Sequence, residues 1–264
     1  MTPRLTFETA GSSGPPLVLL HGIGGTAASF RPLMDELAER WFCLAWNMPG
    51  YGGSEPLAPL TFPALAEALS ALLADRGLEQ VHLLGHSIGG MVALEFALRF
   101  PQRVHSLALL ATTAAFGSRD GDFQKRFMAE RTAPLDAGLT MAELARALVP
   151  TLLGEDVEPQ AARLAESCMA SIPPSAYRAA LACLVGFDRR AALPSLAMPA
   201  LLIAGERDRL APATTMRRMA ERMPRAEFAL LPGAGHLLPL ERPRECGALL
   251  SAFLARFPST GGTP

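Results

Sequence analysis

The sequence is short of several things, and each shortage removes a class of protein. Its four cysteines, Cys43, Cys168, Cys183 and Cys246, have none of the close spacing that metal ligands need. Cys168 and Cys183 fall in expected helices, where they pack as small hydrophobes, and a reducing, cytoplasmic compartment is the expectation. Neither sign of charge is in excess: 24 Lys and Arg face 25 Asp and Glu, a formal net charge of −1. Without a basic block, no nucleic-acid or membrane partner is expected. No run approaches the roughly 18 apolar residues of a membrane span. The early apolar stretch Pro15–Leu20 ends in His21-Gly22 rather than a small-residue cleavage site, so it does not read as a secretion signal. Glycine and proline, 23 of each, stay below the roughly 25–30% that marks low complexity.

What is present is apolar mass. Half of the 264 residues are hydrophobic and 19% are charged, which suits one large domain with a possible insertion. Short apolar runs alternate with helical spacing through the first half. Arg4–Thr9 reads as an edge strand; Leu17–Leu20, Phe42–Trp46, Val81–Leu84 and Val104–Leu110 read as strands. Phe30–Arg40, Pro63–Arg76 and Ile88–Arg99 read as the helices between them. This order predicts an α/β fold, a mostly parallel central sheet with helices on both faces, joined by right-handed crossovers. From about Gly117 to Leu193 no strand pattern appears. Helical stretches at Phe123–Arg131, Met141–Leu148, Gln160–Ala170 and Ser175–Gly186 are punctuated by pairs such as Ala133-Pro134. Alternation resumes with Ala200–Ala204, Thr214–Arg222, Glu227–Leu231 and Arg244–Phe257. The expected division is a body of residues 1–116 and 194–264 with an inserted helical cap of residues 117–193.

The strongest chemical signal is Gly85-His86-Ser87-Ile88-Gly89, a G-x-S-x-G between a strand and a helix. A sharp strand-to-helix turn strains the central residue and lifts its hydroxyl clear of the sheet, above a helix N-terminus. The alternative is a glycine-rich turn with a capping serine. A serine nucleophile needs a base. Of five histidines, His82 and His105 lie in or beside strands, where packing is expected, and His86 is expected to point away from the serine. His236, in the loop Pro232–His236 after the last strand, is the candidate base, at the sheet edge where open α/β folds bind ligands. Asp208, just past the penultimate strand, is the candidate carboxylate to orient that imidazole, with Asp120 and Asp122 in reserve. The backbone N–H groups of Ile88 and Ile23 are the candidate oxyanion donors.

Gly22-Ile23-Gly24-Gly25-Thr26-Ala27 also fits the dinucleotide fingerprint G-x-G-x-x-A. That reading needs a carboxylate at the end of the next strand, where Leu44-Ala45-Trp46-Asn47 has none.

Taken together, His21-Gly22, the loop Asn47–Ser54, the elbow Gly85–Gly90, Gly205–Asp208 and Gly233–His236 resemble the α/β-hydrolase family over nearly the whole chain. The resemblance is to its serine hydrolase branch with a helical cap, similar to carboxylesterases and 3-oxoadipate enol-lactonase-like enzymes. It implies a Ser87–His236–Asp208 triad and, with no metal or organic cofactor, hydrolysis of a small ester or lactone through an acyl-enzyme. Asn47 stands where the family usually has aspartate, a departure in a structural position. Carbon–carbon bond hydrolysis of a ring-cleavage dienoic acid, acyl transfer, and a non-catalytic ligand-binding protein on the same fold remain alternatives. Substrate choice is expected from the cap. Met91, Phe123, Phe127 and Met128 are candidate pocket residues, and one of Arg126, Arg131, Arg163 and Arg178 turned inward would favour an acidic substrate. Oligomeric state is not legible.

Overall fold

The computed structural model describes residues 3–117 and 121–258. Its centre is a seven-stranded sheet. The strands are β1 (Phe7–Ala10), β2 (Pro16–Leu20), β3 (Phe42–Trp46), β4 (Val81–His86), β5 (Val104–Leu110), β6 (Ala200–Gly205) and β7 (Ala226–Leu231). Their order across the sheet is β1-β3-β2-β4-β5-β6-β7. β1 runs antiparallel to β3 at the edge and every other pairing is parallel. The edge strand lies slightly later than the alternation predicts, because Phe7–Ala10 is the stretch in register with Cys43–Trp46.

The interior strands β2, β4 and β6 are buried at every position, as their unbroken apolar runs require of a sheet covered on both faces. Successive side chains alternate between two cores. Val18, Leu20, Leu83, Leu107, Leu109 and Leu202 enter one. Leu17, Leu19, Leu84, Ala108, Leu110 and Ile203 enter the other. The first core is closed by α2 (Phe62–Asp75) and α3 (Ile88–Arg99), the second by α1 (Arg31–Leu37) and, near the C-terminus, Pro243–Leu254. α2 shows why the sequence folds this way. Thr61 caps its first turn through Ala64 N–H, Pro63 sits in that turn, and Leu65, Leu69, Leu72 and Leu73 form the buried stripe. Truncating one such leucine to alanine costs about 2–5 kcal/mol.

Between β5 and β6 the described residues form no strand of the sheet. They form α4 (Asp122–Asp136), α5 (Met141–Leu148), α6 (Pro159–Ala170) and α7 (Pro174–Leu184). The two ends of this segment are pinned together. Phe116 N–H donates to Phe187 O at 2.9 Å and Arg189 N–H to Ala114 O at 2.7 Å. Arg189 also pairs at 2.6 Å with Glu95, a buried carboxylate of α3. α4 runs straight through Pro134, where the sequence pattern predicts a break. α8 (Ala213–Ala220) joins β6 to β7, and β7 is followed by the short α9 (Leu238–Glu241), which periodicity did not predict, and α10 (Pro243–Leu254).

The strand order decides where a ligand can sit. From β2 the chain moves outward to β3, then returns across β2 to β4. The connections leaving β2 and β4 therefore diverge, although Leu20 and Gly85 are register partners. This opens a crevice at the carboxyl ends of β2 and β4. Residues 21–25 and Ser87 occupy it.

Candidate active site

Ser87 joins β4 directly to α3, with φ 55° and ψ −122°. A non-glycine residue there costs on the order of 1–3 kcal/mol, so its surroundings must impose it. They do: Ser87 N–H donates to Leu110 O at 3.0 Å, and its carbonyl accepts from the Thr112 hydroxyl at 2.7 Å and from Gly90 N–H at 2.9 Å. The flanking glycines are required by crowding. A Cβ on Gly85 would run into the Gly89 carbonyl, and one on Gly89 into the Leu20 carbonyl.

His236 reaches this turn from the loop after β7. Its Nε2 lies 3.0 Å from Ser87 Oγ and its Nδ1 lies 2.8 Å from Asp208 Oδ2. An ionised carboxylate only accepts, so Nδ1 carries the proton, and Nε2 is left free to accept from the serine hydroxyl. Asp208 is itself held: its Oδ1 accepts from Leu210 N–H at 2.8 Å and Ala211 N–H at 3.0 Å. Burial pushes its carboxyl up. The hydrogen bond and charge of His236, with the two amides, outweigh this and hold it below its ordinary value. The arrangement can take a proton from a serine and stabilise the cation that results. Asp122 instead lies exposed in the first turn of α4, and Asp120 lies outside the described residues.

The N–H groups of Ile88 and Ile23 donate to no protein acceptor among the described residues, and both residues line the cavity above Ser87. The loop carrying Ile23 is fixed from behind. His21 Nδ1–H donates to Gly22 O at 2.8 Å, and its Nε2 accepts from Met48 N–H at 3.0 Å. The Tyr51 hydroxyl donates to Ile23 O at 3.1 Å. Asn47, in the position where aspartate is usual, accepts from Ala27 N–H at 2.8 Å and donates to the Thr6 hydroxyl at 2.9 Å. An aspartate could not make the second bond as a donor.

Two supporting residues escaped the sequence reading. His86 makes no hydrogen bond to the Ser87 hydroxyl, and its Nε2–H donates to His236 O at 2.7 Å. Burial pushes its pKa down to about 3, so it stays neutral. A second cation 5.2 Å from the His236 ring would oppose imidazolium formation by about 3 kcal/mol at an effective dielectric near 20. Glu241 is buried and collects three backbone amides: Gly235 at 2.8 Å, Leu237 at 2.7 Å and Gly154 at 2.7 Å. Two of them flank His236, and the third belongs to the connection between α5 and α6. That connection also takes the His236 N–H on Leu152 O at 2.8 Å. The five-residue spacing from His236 to Glu241 is the one trace of this in the sequence. It identifies no partner. His82 and His105 sit away from the site; His82 bonds to the Ser106 hydroxyl at 2.7 Å.

The cavity above Ser87 has a volume of about 420 Å³. Met91, Phe123 and Phe127 line it, together with Met169, Leu184 and Leu210. Met128 does not, and this corrects its placement among the pocket candidates; it packs half-buried against the core. The helix period explains this. Phe123, Phe127 and Arg131 recur every four residues on one face of α4, and Met128 is turned about 100° away from Phe127. Among the described residues, no group of three or more His, Cys, Asp or Glu side chains is arranged to hold a metal ion. No described helix is long and apolar enough to cross a membrane.

A family model described as the alpha/beta hydrolase fold matches residues 15–243. The chain belongs to the α/β-hydrolase fold family. It is 32% identical over 249 residues to a pimeloyl-[acyl-carrier protein] methyl ester esterase of Aeromonas hydrophila, covering 91% of this chain and 96% of that one. A thermophilic esterase from Thermogutta terrifontis superposes with a TM-score of 0.87 at 28% identity, covering 97% and 94% of the two chains. The enol-lactonase from Burkholderia xenovorans LB400 has the same fold, with a TM-score of 0.87 at 23% identity over 96% and 97%. Esterase-like relatives therefore surround this α/β hydrolase.

Proposed function

We propose that the protein is a serine hydrolase of small carboxylic esters or lactones, working through an acyl-enzyme. The hydrogen-bonded chain from Ser87 through His236 to Asp208, at the floor of an apolar cavity, carries this reading. His236 takes the Ser87 proton as the oxygen adds to the substrate carbonyl. The tetrahedral oxyanion is held by the N–H groups of Ile23 and Ile88, each worth about 3–4 kcal/mol in such a site. His236, paired to Asp208, then gives its proton to the leaving alkoxide as the carbon–oxygen bond breaks. Water repeats the cycle: His236 takes its proton, the hydroxide adds to the acyl carbon, and Ser87 leaves with the proton restored. The ester-cleaving relatives support an ester bond as the target. Residues 117–193 serve as a cap over the body formed by 1–116 and 194–264, because α4, α6 and α7 supply much of the cavity wall.

The test is Ser87→Ala. Turnover of p-nitrophenyl acetate should fall to the uncatalysed rate while the circular dichroism spectrum is retained. A fluorophosphonate probe should form one adduct on Ser87 in the wild type and none in the variant. Unchanged turnover in Ser87→Ala overturns the nucleophile assignment.

A further inference from the structure

Away from Ser87 and the histidines, the cavity wall is mostly apolar. Arg131 is the one charged side chain in its wall, histidines aside, among the described residues. The other described arginines of residues 121–193 are engaged elsewhere: Arg126, Arg146 and Arg163 are exposed, Arg178 pairs with Asp136, Arg189 with Glu95 and Arg190 with Asp188. Arg131 is half-buried and no described carboxylate pairs with it. Its guanidinium carbon lies over the Phe127 ring, 4.9 Å from the ring centroid. A partly desolvated cation without a counter-charge is unfavourable, and a cation–π contact of about 1 kcal/mol offsets little of it.

A second polar group faces the same space. Tyr177, on α7, is 1% exposed and lines the cavity, yet its hydroxyl bonds to no described residue. The hydroxyl is therefore open to the cavity rather than sealed in the core. The two groups feel each other: burial pushes the Tyr177 phenol up to about 12, and the Arg131 charge pulls against that shift. An open guanidinium fork and an open O–H donor, set among Phe127, Met169 and Leu184, lack an anionic acceptor.

We propose that Arg131 and Tyr177 form an anion subsite selecting substrates with a free carboxylate remote from the reacting carbonyl, such as monoesters of a dicarboxylic acid. The single positive charge balances one carboxylate, whereas a phosphate dianion would leave charge uncompensated in an apolar wall. The planar fork also matches a carboxylate in two parallel bonds. The subsite rests on the esterase reading for its catalytic consequence, but not for binding.

The experiment has two arms. In the first, kcat/KM is compared for monomethyl adipate and methyl hexanoate, a neutral ester of similar length. The wild type should prefer the acid ester by about tenfold or more, and Arg131→Gln should bring that ratio close to one. Tyr177→Phe should lower the ratio about threefold, and Arg131→Lys should restore part of it. In the second arm, calorimetry measures adipate binding to Ser87→Ala, with and without Arg131→Gln, independently of turnover. Binding that vanishes with Arg131→Gln supports the subsite even if neither ester is hydrolysed, a result that would sink only the esterase reading. Hydrolysis of both esters at equal efficiency by the wild type, or adipate binding indifferent to Arg131, overturns the subsite and leaves the esterase reading standing.

Discussion

Replacing Glu241 with alanine should unseat His236 from a distance and destabilise the protein at the same time. The carboxylate is 5% exposed and accepts from Gly235, Leu237 and Gly154, all within 2.8 Å. Deleting it leaves three amides, one buried and two partly buried, without an acceptor, each costing about 1–3 kcal/mol. The three lie side by side and relax together, so their costs do not sum fully. A total of about 3–5 kcal/mol is expected, which lowers Tm by on the order of 10 °C in a domain of this size. Relaxation loosens Gly235 and Leu237, and His236 lies between them. The 3.0 Å Nε2–Ser87 contact then lengthens or becomes intermittent. Because proton transfer depends on that contact in the transition state more than substrate binding does, kcat should fall by about tenfold or more with KM little changed. Glu241→Gln keeps one accepting oxygen, but its NH2 must face an amide donor. It should lose roughly half as much stability and a smaller part of kcat. Urea unfolding and steady-state hydrolysis of p-nitrophenyl acetate read the two effects. If Glu241→Ala unfolds within 0.5 kcal/mol of wild type (roughly the spread of ordinary surface substitutions) and keeps its kcat, the bonding pattern does not position the histidine.

Other perturbations have equally definite outcomes. Asp208→Asn keeps the shape but offers His236 Nδ1 no anionic acceptor, so kcat should fall by on the order of 10³–10⁴ without loss of fold, measured by ester hydrolysis beside thermal melting. Activity retained in that variant would transfer the acid role elsewhere. Gly89→Ala drives a methyl into the Leu20 carbonyl and should abolish soluble, active protein, as judged by expression and ester turnover. Acid should destabilise the fold through histidines kept neutral by burial. His21 and His82 are pushed down to about 4, and His86 to about 3. The unfolded chain takes up their protons below about pH 6.5 while the folded one does not, so stability falls as pH drops from 6.5 toward 4. Each contributes a slope of up to ~1.4 kcal/mol per pH unit. His82→Gln, far from the site, should flatten that slope by about one histidine's share in urea titrations at pH 4.5 and 6.5.

Several of these features were written plainly in the chain. Strands such as Leu17–Leu20 carry unbroken apolar runs, which only a doubly covered sheet can bury, and the period of Leu65, Leu69, Leu72 and Leu73 marks a helix face. Gly85–Gly89 announces its turn because only glycine tolerates the crowding there. Burial and helix period are local properties, and so they are legible from neighbours in sequence. Pro134 shows the limit of local reading: its breaker signal was overruled where α4 continues to Asp136.

The sequence by itself determined the alternation of strands and helices, the elbow around Ser87 and the late histidine loop. Each depends on contacts within a few residues. Tertiary structure alone decided that Ser87 and His236, 149 positions apart, meet at 3.0 Å. It also decided that Glu241 gathers amides from two separate segments and that Arg131, alone among the described arginines, lines the cavity. Those outcomes turn on which way a side chain faces once the sheet and the inserted helices have packed. A charged residue reads the same in sequence whether it meets water, a carboxylate or an empty pocket.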